Sequence, residues 1–342
     1  MERQPDRFHL VARRRRSPIA AAAGLLVAAA LVLPWQTRSA AAEPTEPVTV
    51  AFIGDQGLGP DARAVLELIK AQGADMVLHQ GDFDYDDDPE AWDALLTGVL
   101  GADFPVFAAV GNHDRKRWSG PDGYQAKLQA RLNRIPGAEC SGDLGVRSAC
   151  RYKNLFFLLS GIGTLPADSP DDPAHVSYLR EQLARTTAVW RICSWHANQR
   201  LMQTGDKMDE VGWQAYETCR EAGAIVATAH EHVYSRSHLM ERFETQSVAS
   251  TGNTLVLEAG RSFVFVSGLG GMSIRDQKRG GPWWAAVYTS DQGADFGALF
   301  CTFKANGEAR RADCHFRDIR GRVPDRFTLI SRVGTDAPQA PD

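Results

Sequence analysis

The feature that most constrains this chain is an apolar, β-like run followed directly by a short polar motif, a pattern that occurs five times. The apolar runs are Val48–Ile53, Met76–His79, Val106–Val110, Ile192–Ser194 and Ala224–Thr228. The motifs that follow them are Gly54-Asp55-Gln56-Gly57, Gly81-Asp82-Phe83-Asp84-Tyr85, Gly111-Asn112-His113-Asp114, Trp195-His196 and Ala229-His230-Glu231-His232. In open α/β sheets, ligands gather outside the carboxyl ends of the strands. The pattern therefore predicts that these polar side chains converge on one site.

Helical patterns alternate with these runs. Periodic apolar residues predict helices over Asp61–Lys70, from Asp88-Pro89 onward, from a cap at Ser177 onward, and over Gly212–Glu221. Since the last three precede motif-bearing strands, the alternation predicts a layered α/β fold. The last third of the chain is β-like and is expected to close the core as sheet, over Thr254–Glu258, Ser262–Ser267, Ala298–Phe303, Ala312–Arg317 and Arg326–Ile330.

The N-terminus has the pattern of an export signal. Arg13–Arg16 precede an apolar run, Ile19–Leu33, and Ala40–Ala42 follow it. The run is shorter than the ~20 residues that span a bilayer, although an uncleaved membrane anchor stays an alternative. We therefore predict a signal peptide over residues 1–42, a linker over 43–47, one domain over 48–332 and a flexible tail over 333–342. The protein is expected to be secreted or periplasmic, and to contact a membrane only if the leader is uncleaved.

The charge balance argues against nucleic acid as a partner. The sequence contains 38 basic and 42 acidic residues, and removal of residues 1–42 leaves a net charge of −9. An acidic exported protein is a poor candidate for non-specific nucleic-acid binding. About 300 residues suit one large domain.

Six cysteines in an oxidising compartment predict disulfides. Cys140 and Cys150 flank a short loop, and Cys301 and Cys314 flank a predicted hairpin, so these local pairs are expected first. Cys193 and Cys219 would pair by elimination, and other connectivities stay open. None of the six is placed like a metal ligand.

Each motif has a structural alternative when it is taken alone. A Gly-Asp pair after a strand is usually a turn, and the acidic stretch Asp82–Asp88 resembles a solvated charge run or a calcium loop without EF-hand spacing. Together, however, the motifs offer oxygen and imidazole ligands without thiolates, and this donor set suits Fe, Mn or Zn. The combination indicates a dinuclear metallohydrolase.

The order of the motifs resembles that of calcineurin-like metallophosphoesterases, and more narrowly the purple acid phosphatase branch. Two features mark the branch: Gly57 stands where many relatives have a histidine ligand, and Tyr85 follows Asp82 by three residues. The resemblance extends from Val48 to His232 and implies a four-layer αββα sandwich of two mixed β-sheets flanked by helices. Two departures, Ala229 and Cys193, remove no ligand.

The resemblance also implies a ligand set and a mechanism. One metal would be bound by Asp55, Tyr85 and His232, the other by Asn112, His196 and His230, and Asp82 would bridge them. Because a phenolate favours a strongly Lewis-acidic ion, the expected pair is Fe(III) with divalent Fe, Zn or Mn. His113 is the expected catalytic residue, which binds the phosphate or protonates the leaving oxygen, and Asp114 would fix its tautomer.

The expected function is an acid phosphatase-like hydrolysis of small phosphate monoesters by metal-bound hydroxide. A phosphodiesterase or nucleotide hydrolase on the same centre is the alternative, and a non-catalytic metal-stabilised binding protein is a weaker one. His79 has either a site role or a structural one at the end of its strand. Trp118, Trp283 and Trp284 either line the substrate site or, as favoured, pack within the fold. The substrate, the oligomeric state and the pH optimum stay open.

Overall fold

The computed structural model describes residues 46–167 and 169–334. The predicted leader over 1–42, residues 43–45 of the predicted linker and residues 335–342 of the predicted tail lie outside the described residues. Val333, the first residue of the predicted tail, is buried, and its carbonyl accepts a hydrogen bond of 2.8 Å from Arg310. No helix within the described ranges has the length and apolar character needed to cross a membrane.

Strands and helices alternate in the first two thirds of the described chain, and strands dominate the last third. The strands are β1 (Val48–Ile53), β2 (Met76–His79), β3 (Val106–Ala108), β4 (Glu139–Asp143), β5 (Arg147–Tyr152), β6 (Leu155–Ser160), β7 (Trp190–Trp195), β8 (Ile225–Thr228), β9 (Tyr234–Ser237), β10 (Leu239–Arg242), β11 (Ser247–Ser250), β12 (Thr254–Leu257), β13 (Val264–Ser267), β14 (Trp284–Tyr288), β15 (Gly297–Phe303), β16 (Arg311–Asp318) and β17 (Asp325–Ser331). The α-helices are α1 (Pro60–Ala71), α2 (Pro89–Leu100), α3 (Tyr124–Leu132), α4 (Pro173–Arg185) and α5 (Trp213–Glu221). Short 3-10 helices cover Arg115–Arg117, Arg200–Met202, Ser290–Gln292 and Ala305–Gly307.

The strands form two large mixed sheets and a small ribbon. The first sheet has the order β12-β17-β16-β15-β1-β2-β3, the second has the order β14-β9-β13-β8-β7-β6-β5-β4, and β10 pairs with β11. Strands β1, β2 and β3 are mutually parallel, and so are β6, β7, β8 and β13. All five motif-bearing strands therefore belong to the parallel part of one sheet or the other.

The two sheets pack face to face between two layers of helices. Phe52 of β1 meets Phe265 of β13 with ring centroids 5.1 Å apart, and Phe107 of β3 meets Phe157 of β6 at 4.6 Å. Helices α1 to α3 lie on the side of the first sheet, and α4 and α5 lie on the side of the second. The four-layer αββα sandwich of two mixed sheets is thereby confirmed.

Two boundaries differ from the sequence prediction for local reasons. The third predicted helix is α4, and it begins at Pro173 rather than at Ser177. The Asp172 carboxylate accepts the N–H of His175 (3.3 Å) and so caps the helix, and Pro173 occupies its first position. The strand predicted to reach Val110 ends at Ala108 in the structure. The N–H of Val110 donates to the backbone carbonyl of Gly145 and, among the described residues, forms no hydrogen bond to a strand of the sheet.

The three predicted disulfides are confirmed. Cys140–Cys150 joins β4 to β5, Cys301–Cys314 joins β15 to β16, and Cys193–Cys219 joins β7 to α5. The last of these is buried and ties the strand that carries His196 to the helix layer behind it. No free cysteine is found in the described ranges.

Candidate metal centre

The polar motifs lie in loops that are bonded to one another at the carboxyl ends of the strands. The N–H groups of Asp55, Gln56 and Gly57 donate to the carbonyls of residues 81, 82 and 83 over 2.9–3.0 Å, which joins the first two loops. Four of the predicted ligands have a positive φ that residues with a side chain rarely adopt, namely Asp55, Asp82, Tyr85 and His230. Strain of this kind persists where the surroundings hold the backbone, and it is concentrated at functional sites.

Two glycines allow the loops after β2 and β3 to touch. A Cβ added to Gly111 would lie 2.1 Å from the backbone nitrogen of Asp82, and one added to Gly81 would lie 2.7 Å from Cα of Gly111. No side chain fits at either position. The glycines of the two motifs are therefore needed for the close approach of Asp82 and Asn112.

Three predicted ligands form the first half of the centre. The Tyr85 hydroxyl lies 3.1 Å from Oδ1 of Asp55 and 3.1 Å from Nε2 of His232, and that nitrogen is 3.5 Å from Oδ1 of Asp55. The hydroxyl of Ser273 lies 2.5 Å from Nδ1 of His232, which orients the imidazole so that Nε2 faces the two oxygens. This half thus presents two oxygen donors and one nitrogen donor to one point.

The second half of the centre contains Asn112, His196 and His230. Nε2 of His196 lies 3.1 Å from Oδ1 of Asn112, and the rings of His196 and His230 have centroids 4.6 Å apart. Nδ1–H of His196 donates to the carbonyl of Gln80 over 2.8 Å, and this bond fixes the tautomer with the Nε2 lone pair toward the site.

Asp82 lies between the two halves. Its Oδ2 is 3.2 Å from Nε2 of His196, its Oδ1 accepts the N–H of His113 at 2.9 Å, and its carboxylate also interacts with the Tyr85 hydroxyl. Donor atoms of Asp82, His196 and His230 all lie within 4.8 Å of one another. This is the arrangement expected of a carboxylate that is shared by two cations.

The electrostatics of the side chains suit the binding of cations. Burial raises the pKa of Asp55 to about 7, and burial lowers the pKa of His230 to about 4 and that of His232 to about 3, so both imidazoles are neutral donors. Burial works against the charge of Asp82, but His196 outweighs it and holds the pKa of that carboxyl below its usual range. Burial, Asp55 and Asp82 raise the pKa of the Tyr85 phenol far above its usual value. The donor set fits two cations.

His113 and Asp114 have different environments. The His113 ring is exposed at the mouth of the site and lies 4.5 Å from the Tyr85 ring, centroid to centroid. The Asp114 carboxylate is buried and accepts three backbone N–H groups, from Gly111 (2.6 Å), Phe83 (2.8 Å) and Asp82 (2.9 Å). The described hydrogen bonds include none between Asp114 and the His113 ring, so in this structure Asp114 supports the two ligand loops.

Two charged side chains that the motifs did not reveal contact His230. Its Nε2 lies 2.7 Å from Nζ of Lys207 and 2.9 Å from Oε2 of Glu210. Both residues belong to an irregular segment after Met202, and no periodic pattern marked them in the sequence. Burial lowers the pKa of Lys207, and the carboxylate of Asp55 opposes this shift.

The other residues considered for the site have structural contacts. His79 is buried, with Nε2 3.2 Å from Oε1 of Gln56 and Nδ1 accepting the N–H of Gly81 at 3.1 Å. Trp118 is buried near Phe83, and the indole N–H of Trp283 donates to the carbonyl of Leu201 at 3.1 Å. The half-buried Trp284 opens β14.

Solved structures with similar folds are distant in sequence. A purple acid phosphatase from yellow lupin (Lupinus luteus) seeds is 15% identical with a TM-score of 0.57, and the match covers 83% of this chain and 54% of the lupin chain. This chain thus spans about half the length of that relative. GAP50, the anchor in the inner membrane complex of Plasmodium, is 14% identical with a TM-score of 0.53, over 84% of this chain and 89% of that one. At such identities the likeness concerns the fold alone.

The family is shown by sequence. No curated protein matched the chain. The model of the calcineurin-like phosphoesterase family matches residues 48–234, which include all five polar motifs. The chain therefore belongs to the calcineurin-like phosphoesterase family, and this family implies a dinuclear metal site.

Proposed function

We propose that this phosphoesterase is an exported acid phosphatase of the purple acid phosphatase type, which hydrolyses phosphate monoesters with Fe(III) and a divalent Fe, Zn or Mn ion. The observation that carries the proposal is the position of the Tyr85 hydroxyl, 3.1 Å from both Asp55 Oδ1 and His232 Nε2. The pKa of this phenol is raised far above its usual value, so only a strongly Lewis-acidic ion would bind it as phenolate.

The proposed ligand assignment is the one that the motifs predict. Asp55, Tyr85 and His232 would hold Fe(III), and the divalent ion would be held by Asn112, His196 and His230, with Asp82 shared. Two cations held by these residues would supply Lewis-acid activation of water and would stabilise charge on the phosphoryl oxygens.

His113 is the proposed general acid. It is exposed at the mouth of the centre, beside Tyr85, and its backbone N–H is held by the shared carboxylate of Asp82. This position allows an imidazolium to donate its proton to the oxygen of the leaving alcohol. Asp114 contributes by keeping the loops of Asp82 and Asn112 together rather than by contact with substrate.

Metal analysis combined with a visible spectrum and a paired assay tests the proposal. We expect iron plus a second metal, a pink to purple colour from charge transfer between tyrosinate and iron, and faster turnover of p-nitrophenyl phosphate than of bis(p-nitrophenyl) phosphate. A colourless protein that is fully active with only Zn or Mn would exclude iron. A preference for the bis-ester would exclude the monoesterase assignment, and a metal-loaded protein without turnover would favour the non-catalytic alternative.

Export is a separate part of the proposal. It is supported by the signal-like leader over residues 1–42 and by the three disulfides of the domain. Expression of the full chain in a bacterial host, followed by N-terminal sequencing, should give a mature protein outside the cytoplasm that lacks the leader. An intact N-terminus in the membrane fraction would favour the uncleaved anchor.

A further inference from the structure

The segment Gln203–Glu210, here called the 203–210 loop, lies directly against the turn that carries two predicted ligands. A Cβ added to Gly205 would lie 2.0 Å from Cδ of Glu231, the residue between His230 and His232. From this loop the half-buried side chain of Lys207 extends until Nζ is 2.7 Å from Nε2 of His230. The loop thus delivers one positive charge to the second half of the metal centre.

The backbone of the 203–210 loop is held in place by an arginine from a distant part of the chain. Nη1 of Arg279 donates to the carbonyls of Gly205 (2.8 Å) and Lys207 (2.7 Å), and Nη2 donates to that of Asp206 (2.9 Å). The side-chain amide of Gln203 also donates to the carbonyl of Lys207, over 2.9 Å. Because four hydrogen bonds fix the backbone around it, Lys207 is a preorganised group rather than a mobile surface lysine.

The Lys207 ammonium forms no direct ion pair among the described residues, although the carboxylates of Asp55, Glu231 and Glu210 favour its charged form from a longer distance. The described hydrogen bonds of Nζ comprise one contact, with Nε2 of His230, so two of the three N–H donors of the ammonium are unused. An ammonium group donates hydrogen bonds but cannot coordinate a cation. Beside a centre that binds two cations, these unused donors can bind an anion through charge-assisted hydrogen bonds. The anion that a phosphoesterase brings to this place is the phosphoryl group of its substrate.

We propose that Lys207 binds a phosphoryl oxygen of the substrate and selects dianionic phosphate monoesters over monoanionic diesters. The inference rests on the proposed function, since it concerns the substrate of that same centre. A monoester presents one more negative charge than a diester and has an unsubstituted oxygen where a diester has its second organic group. A single fixed ammonium therefore favours the monoester through its charge and through a charge-assisted hydrogen bond.

The test compares four forms of the metal-loaded protein: wild type, Lys207→Met, Lys207→Arg and the control Lys278→Met. Lys278 is exposed and pairs with Asp276 at 2.5 Å, so the control removes a neighbouring charge that does not face the centre. Three quantities are measured: kcat/KM for p-nitrophenyl phosphate and for bis(p-nitrophenyl) phosphate, the calorimetric Kd of inorganic phosphate, and the metal content. The phosphate Kd reports on Lys207 without reference to turnover.

We expect Lys207→Met to weaken phosphate binding and to lower kcat/KM for the monoester by about 10–100-fold, since charge-assisted hydrogen bonds have this magnitude. The diester should change less than about threefold, the metal content should stay the same, and Lys207→Arg should restore most of the phosphate affinity. Lys278→Met should match the wild type.

Two results would overturn the inference. Equal losses for both esters, accompanied by loss of metal, would mean that Lys207 only supports His230. An unchanged phosphate Kd in Lys207→Met would mean that the ammonium does not contact the anion. Failure of the proposed function is seen separately, because a wild-type protein without monoesterase activity would refute it while the phosphate Kd values still decide the role of Lys207.

Discussion

The two halves of the metal centre differ in the charge of their donors and in what supports them. The first half, Asp55, Tyr85 and His232, contains a carboxylate and a phenol, and its histidine is oriented by the neutral hydroxyl of Ser273. The second half, Asn112, His196 and His230, contains an amide and two imidazoles and no anionic donor. Its outer partners include two charged groups, Lys207 and Glu210, at His230, beside the neutral carbonyl of Gln80 at His196.

This difference in donor charge suits a different kind of metal ion in each half of the centre. Anionic oxygen donors concentrated on one side favour an ion of high charge there, while amide and imidazole donors suit a divalent ion on the other side. In the proposed assignment, Lys207 adds a positive charge on the divalent side, which has no anionic donor of its own, so an anionic substrate would be attracted to that side. In the same assignment, Asp82 is the ligand that both halves share.

The largest effect is therefore expected at the shared residue. Replacement of Asp82 by Asn removes the negative charge between the cations, and we expect metal content to fall below two ions per chain and phosphatase turnover to fall about 1000-fold or more. Elemental analysis and a p-nitrophenyl phosphate assay measure both. Asp86→Asn, which changes an exposed carboxylate in the same loop, should leave both unchanged. Full activity of Asp82→Asn would refute the shared-carboxylate assignment.

His113→Ala separates the general acid from the ligands. We expect kcat to fall about 100-fold for an alkyl phosphate, whose leaving group needs a proton, and much less for p-nitrophenyl phosphate, whose leaving group does not. Metal content should be preserved, because the exposed imidazole is outside both halves. Equal losses with both substrates would show that His113 binds the phosphate instead of donating a proton.

Tyr85→Phe and Asn112→Asp each alter the difference in donor charge between the two halves, the first variant in the first half and the second variant in the second half. The first removes the phenol, so the visible absorption should disappear and turnover should fall by about tenfold to 100-fold as the first half loses its preference for Fe(III). The second adds a negative charge to the other half, and the visible band should remain while retention of divalent metal increases. Retention of the colour in Tyr85→Phe would contradict the assignment of Tyr85.

The convergence of the seven predicted ligands could be anticipated from the sequence because each follows a strand within a few residues. Strand ends are local features, and the parallel sheet connections bring them to one edge without further information. The disulfides were likewise accessible, since two of the pairs join adjacent strands. Even so, a local signal was missed at Asp172-Pro173, where the acidic cap and the proline mark the true start of α4.

The supporting residues could not be predicted, because their positions depend on distant parts of the chain. Lys207 is placed by Arg279, 72 residues farther along, and Ser273 reaches His232 from 41 residues away. The contacts of Asp114 could not be predicted from its sequence neighbours either. Its proximity to His113 in sequence suggested a partner for the ring, but in the fold three backbone N–H groups from two loops converge on its carboxylate.

A matched pair of variants examines the supports of the two halves. Glu210→Ala and Ser273→Ala should each lower metal affinity by about 10–100-fold, the usual cost of losing a partner that orients a ligand. Glu210→Ala should release the divalent ion first and keep the colour, whereas Ser273→Ala should weaken the coloured site. Competition with a chelator, followed by absorbance and elemental analysis, distinguishes them. Glu210→Gln should retain part of the affinity, because an acceptor oxygen remains.

The smallest expected effect concerns the protein after metal removal. Burial disfavours the charged form of His196, but Asp82 outweighs it and raises the pKa of the imidazole to about 9 in the metal-free fold. A histidine with a raised pKa stabilises the fold fully below its unfolded value of about 6.5, and this stabilisation is lost as the pH rises through the folded value. Burial raises the pKa of Asp55 to about 7, so the stability that its protonated form contributes is also lost as the pH rises. The Tm of the metal-free protein should therefore fall by about 5 °C between pH 6.5 and pH 9.

The same titration in the metal-loaded protein provides the comparison. A bound cation takes the place of the proton on His196, so the Tm of the loaded protein should change little over this range. His196→Asn should remove most of the pH dependence from the metal-free protein, since it cannot gain a proton beside Asp82. A Tm of the metal-free protein that rises toward pH 9 would mean that the Asp82–His196 ion pair, 3.2 Å long in the structure, does not stabilise the empty second half of the centre.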